Sequence, residues 1–185
     1  MYQVKWTRLQ TEIFRFLSIK SGMSLNLRGI ARPLKVSPTA VSNALGELEK
    51  DGLIKVEKSK TMNLMSIEFN RDNPKAIQMK RTENLKLIYE SGLVDFLYNE
   101  FPGCTIILFG SYSRGEDVWT KETAENKSDV DIAIIGTKGK DVNLTEFDKK
   151  LERIININFY KSWSIDVHLR NNILNGIILS GGVEL

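Results

Sequence analysis

The sequence predicts a two-domain α+β protein: a small helical domain closed by a β-hairpin, followed by an α/β layer. Three observations carry this expectation. Charge is divided unevenly, with 14 Lys/Arg against 7 Asp/Glu in residues 1–80 and 12 against 16 in the remaining 105. Over the first 70 residues, apolar positions recur at helical spacing and then switch to strand-like runs. Beyond residue 100, short and almost wholly apolar runs alternate with helical patterns, as in strands interleaved with helices.

In the basic half, Trp6, Leu9, Ile13, Phe16 and Leu17 recur at spacings of three and four and predict one helix. A short helix is expected over 26–34, ended or bent by Pro33. The third carries a clearer signature. Ser37 is a good N-cap, Pro38 suits the first helical position, and Val41, Ala44, Leu45 and Leu48 form a stripe. Gly52 lies where a C-terminal cap belongs. Strands are expected at Leu53–Lys58 and Asn63–Phe69, with Ile54, Val56, Leu64 and Ile67 on one side of the hairpin.

Three helices and a hairpin, with "SPTAVSNALGELEKDGLIKVEK", resemble the winged helix-turn-helix domains of bacterial and archaeal regulators. That resemblance implies DNA binding by the N-terminal end of the third helix. Thr39, Ser42 and Asn43 are the candidate base-contacting residues, and Lys55, Lys58 and Lys60 the candidate phosphate contacts. Homodimerisation on paired half-sites is expected with it.

No turn signal interrupts Pro74–Ser91, which predicts one connecting helix. Gly92 should break it before a second helix over Leu93–Phe101. The expected organisation is a domain over 1–71, a helical linker over 72–84 and a second domain over 85–185. "CTIILFG" and "DVDIAII" predict buried strands, apolar on both faces. "LTEFDKKLERIINI" predicts a helix with Leu144, Phe147, Leu151 and Ile154 inward. "SIDVHLR" alternates as a strand, and "NILNGIILS" predicts a closing helix.

Asp129 and Asp131 are the chemical anomaly. Strands are depleted in aspartate, and two carboxylates on one face repel. Asp166, placed on a third strand, can join them, and oxygen donors of this kind suit Mg²⁺ or Mn²⁺. Gly110 allows close backbone approach to a ligand. Ser111, the following amides and Arg114 can hold phosphate oxygens.

The ordered set "LFGSYSRGED … SDVDIAII … SIDVHLR" resembles the minimal nucleotidyltransferases of the DNA polymerase β superfamily, over about residues 85–185. The resemblance implies a polymerase β-like domain with a mixed sheet and a Mg²⁺-dependent transfer of a nucleoside monophosphate from a nucleoside triphosphate, ATP above others. Gly110, Ser111 and Arg114 would bind the nucleotide, Asp129 and Asp131 both metal ions, and Asp166 one ion and the attacking hydroxyl. It further implies a helical partner protein, with this chain as the antitoxin-like member of a pair. One departure is the 17 residues between Ser111 and Asp129, more than is usual in the minimal family. A second expectation is a transcriptional regulator that senses nucleotide without catalysis, and a third an RNA-modifying enzyme gripping RNA through the basic domain. The single Cys104, the N-terminus without an apolar centre and the absence of an apolar run near ~20 residues predict a cytoplasmic protein with no membrane segment.

Overall fold

The computed structural model describes residues 6–58, 65–119 and 129–184. The chain divides into two compact units, residues 1–80 and 81–185.

The first unit contains α1 (Arg8–Ile19), α2 (Leu27–Ala31) and α3 (Pro38–Lys50), then a hairpin of β1 (Ile54–Lys58) and β2 (Met65–Phe69). Thr7 opens α1 through a capping box: its side chain accepts from the Gln10 amide while Gln10 Oε1 accepts from the Thr7 amide at 2.8 Å. Ser37 opens α3 by accepting from the Ala40 amide, with Pro38 at the start of the helix as expected. Gly52, at φ 70°, takes the left-handed turn that ends α3. α2 is shorter than the sequence suggested, stopping at Ala31 before Pro33.

β1 and β2 pair antiparallel, Val56 opposite Ile67, and a single bridge joins Leu25 to Ile67. Ile13, Phe14 and Leu17 of α1 pack with Ile30, Val41, Leu45, Leu48, Ile54, Ile67 and Phe69 in one core. Three helices, a bridging residue and a two-stranded wing make this unit a winged helix-turn-helix. Leu64, expected on the inner side of the hairpin, lies outside the described residues.

α4 (Pro74–Glu90) runs unbroken until Gly92, whose φ of 81° separates it from α5 (Leu93–Glu100). The second unit then builds a four-stranded sheet in the order β5-β4-β3-β6. β3 (Thr105–Phe109) pairs antiparallel with β4 (Asp129–Ile135), Phe109 opposite Asp131. The short α6 (Gly110–Arg114) follows β3 directly. β5 (Ile154–Tyr160) runs parallel to β4, and β6 (Ile177–Ser180) antiparallel to β3. The sheet is therefore mixed.

Three sequence expectations are corrected here. The helix predicted over 144–157 ends early: α7 spans Thr145–Leu151, and Glu152, at φ 52°, turns the chain into β5. The β-branched Ile154, Ile155 and Ile157 favour a strand beside β4. The predicted strand "SIDVHLR" is instead the start of α8 (Val167–Leu174), with Asp166 as its N-cap. The predicted closing helix stops at Leu174, and residues 177–180 form β6. Gly176 permits that turn, because a Cβ there would collide with the Leu108 carbonyl oxygen. α8 lays Ile173 and Leu169 on Ile107, Phe109, Ala133 and Ile135. No described helix is long and apolar enough to cross a membrane.

Candidate active site

β3 delivers the chain to Gly110, and β4 places Asp131 opposite Phe109, one residue before it. Asp129 and Asp131 are two apart on one strand and therefore point to the same face, while Val130 and Ile132 are fully buried on the other. Both aspartates are half-buried. Burial and, secondarily, the neighbouring charge of Asp129 push the Asp131 carboxyl above its ordinary value.

Gly110 is the counterpart of this pair. Its φ is 76°, and an ideal Cβ would overlap the Asp131 carboxylate. Only glycine suits both the conformation and the contact. Ser111 follows, half-buried at the beginning of α6, while Ser113 is buried and donates to the Gly110 carbonyl at 2.8 Å. Gly115, at φ 75°, closes the turn, and the Glu116 amide returns to the Ser111 carbonyl at 3.0 Å. Arg114 is exposed and its Nε donates to Glu116 Oε2 at 2.8 Å.

Beneath this turn lies a buried polar network that the sequence did not reveal. Arg153 Nη2 donates to Asp117 Oδ2 at 2.8 Å, and Asn84 Nδ2 donates both to Asp117 Oδ1 at 2.7 Å and to the Tyr112 carbonyl at 2.9 Å. Asp117, which the sequence left between solvated charge and acidic lining, is thus an internal anchor. It fixes the 110–117 turn to the start of β5 and to α4. Nothing local in the sequence marks a pair 36 residues apart.

Asp166 is not brought to the acidic pair. Because β5 is parallel to β4, its Tyr160 lies beside Ile135, at the end of β4 opposite Asp129. Asp166 comes six residues later and spends its carboxylate on the α8 amides, accepting from His168 at 2.9 Å and Leu169 at 3.1 Å. The expectation that it shares a sheet face with Asp129 and Asp131 is corrected. Among the described residues no group of three His, Cys, Asp or Glu side chains is placed to hold a metal. The residue that β5 does bring to the pair is Asn156, whose Nδ2 donates to Asp129 Oδ2 at 2.7 Å. A strand reading of 154–160 would have found it by phase alone.

Two carboxylates and a carboxamide form an oxygen-rich donor set, which fits a hard cation such as Mg²⁺ or Mn²⁺.

In the first unit, Thr39, Ser42 and Asn43 are exposed on α3, opposite the buried Val41, Ala44, Leu45 and Leu48. Lys58 is exposed at the end of β1. Lys55 is engaged with Asp72, which raises the lysine and lowers the aspartate from their ordinary values through the hydrogen bond and then the charge. Lys60 lies outside the described residues.

Residues 91–180 match the family described as nucleotidyltransferase domain. Comparison with the curated proteins gives no match. Among solved structures the chain is similar to a mutant of Lactococcus lactis ZitR, at 24% identity and a TM-score of 0.40, covering 55% of this chain and 66% of that one. It is similar to the adhesin competence repressor AdcR of Streptococcus pyogenes, at 20% identity and a TM-score of 0.41, covering 55% and 70%. A third likeness is to S. aureus MepR, solved as a DNA complex, at 19% identity and a TM-score of 0.37, covering 51% and 77%. The ZitR match thus spans just under two thirds of that chain.

Proposed function

Taking as premise that residues 91–180 form a nucleotidyltransferase domain, we propose that this chain transfers a nucleoside monophosphate, AMP by preference, from a metal-bound nucleoside triphosphate to an acceptor hydroxyl, and that its winged-helix unit binds DNA. The observation that carries the catalytic half is the juxtaposition of Gly110 with Asp131 on the strand that also bears Asp129. Asp129 and Asp131 would hold Mg²⁺ or Mn²⁺, which when bound neutralises phosphate charge and favours displacement of pyrophosphate.

This chain's residues supply the rest. Gly110 lets the Asp131 carboxylate sit against the backbone beside the turn, and the Ser111 hydroxyl and amide donate to phosphate oxygens. Arg114 swings from Glu116 to the phosphates; the surface ion pair it gives up is worth at most about 1 kcal/mol. The buried Asp117–Arg153–Asn84 network holds the turn to α4 and to the start of β5 during the reaction. The acceptor is a hydroxyl on a partner, and the antitoxin-like pairing predicts a helical protein encoded beside this gene. The test is Mg²⁺-dependent incorporation from α-labelled ATP into that neighbour, tRNA or the chain itself, with Asp129→Asn abolishing it. Equal labelling by wild type and variant overturns the assignment.

One observation favours a second reading, that of a regulator which binds nucleotide without turning it over. No third carboxylate stands with Asp129 and Asp131 among the described residues, so none is placed to take the acceptor's proton. Calorimetry with a non-hydrolysable ATP analogue, run beside the labelling assay, separates the two: binding without transfer supports the regulator. For DNA, the exposed Thr39, Ser42 and Asn43 support reading by α3, with a homodimer spanning two half-sites. Binding to duplex DNA in preference to tRNA, weakening steeply with salt, is the expected result.

A further inference from the structure

In the parallel pairing of β4 with β5, Asp131 stands opposite Asn156, and Asp129 opposite Ile154. In-register residues of neighbouring strands share a sheet face. Asn156 therefore projects from the face that carries both aspartates, and its bond to Asp129 Oδ2 at 2.7 Å joins it to that pair directly. The amide nitrogen makes this bond. The carbonyl oxygen of the same side chain keeps its own acceptor capacity.

From this geometry we infer that Asn156 is the third donor of the site, a neutral side chain that holds Asp129 through its nitrogen and offers its oxygen to the cation, fixing the pocket's charge at that of two carboxylates. The inference rests on the reading of Asp129 and Asp131 as cation ligands. A carboxylate at 156 would repel Asp129 instead of donating to it, and would add a charged oxygen ligand for the metal. An amide does neither, nor can it accept a proton from an attacking hydroxyl. Asn156 thus sets how tightly the pocket grips a cation and withholds a base from the acceptor side. It is exposed on an edge strand, so its replacement leaves the core untouched.

Mn²⁺ binding to the full-length chain, followed by the paramagnetic resonance signal of the free ion, tests the assignment. Asn156→Asp is expected to bind Mn²⁺ about tenfold more tightly, because ligand charge count tunes affinity. Asn156→Ala is expected to bind several-fold more weakly. A residue with a merely structural role would weaken binding in both variants, so the opposite signs are diagnostic. If Asn156→Asp binds no tighter than wild type while Asp129→Asn loses the ion, the role of Asn156 is overturned and the acidic pair stands. If Asp129→Asn binds like wild type, the pair is no cation site and both readings fall.

Discussion

Arg153 and Asp117 meet at 2.8 Å with their side chains 3% and 0% exposed, one at the mouth of β5 and the other at the end of the Gly110–Asp117 turn. A buried ion pair of this kind contributes little over a well-packed apolar pair, but removing one partner strands the other's charge. Asp117→Ala is therefore expected to destabilise the protein by about 3–5 kcal/mol in urea denaturation. Replacing both residues by Leu and Met should recover part of that loss. Equal stability of Asp117→Ala and wild type would remove the anchor.

Gly110→Ala places a methyl group against the Asp131 carboxylate and forces a left-handed alanine. The backbone term alone is about 1–2 kcal/mol. Nucleotide and metal binding should fall further than stability does, because the displaced group is Asp131 itself. Parallel thermal melts and calorimetric titrations give the two effects, and a variant that keeps full binding would deny Gly110 its place at the site.

The folded Asp131 carboxyl sits above its ordinary range, so the fold binds that proton more tightly than the unfolded chain does. Its contribution is present at low pH, below the unfolded value near 4, and is lost as pH rises through the folded value. At neutral pH without divalent cations, Asp131→Asn should melt higher than wild type, and the gap should close on acidification. Adding Mg²⁺ should raise the melting temperature of wild type only. A lower melting temperature for the variant in chelator would contradict the repulsion between Asp129 and Asp131.

Each phosphate contact made by a lysine adds about 0.9 to the slope of log affinity against log salt. Lys58→Ala should reduce that slope by about this amount on duplex DNA. Lys55→Ala should reduce it less, since Asp72 already occupies that ammonium. Equal slopes for wild type and Lys58→Ala, measured by fluorescence anisotropy, would take the wing out of the DNA interface.

Much of the fold was legible because several signals agreed at one place. Ser37, Pro38, the Val41–Leu48 stripe and Gly52 all specify the same helix, and β3 and the second half of β4 are apolar on both faces. The misreadings fall where one pattern serves two structures. Leu169 and Ile173 are spaced by four and pack inward from α8, yet over 164–170 Ile165, Val167 and Leu169 alternate like a strand. Asp166 settled the matter as an N-cap, a use of aspartate that competes with any other. Helical spacing also carried the reading of α7 past its end, because a left-handed Glu152 leaves no sign in composition. Asn156 was lost with that strand. The Asp129 and Asp131 pair survived since its spacing is local, whereas Asp117 and Arg153 depend on tertiary pairing alone.

The codons for asparagine and aspartate differ only at their first base. With Asn156 in register beside Asp131, a pocket of two acids and a pocket of three are neighbours in the genetic code, separated by a solitary transition and no change in side-chain shape. On the proposed reading of the acidic pair, the charge offered to a cation can therefore change by one unit at that base without rebuilding the sheet.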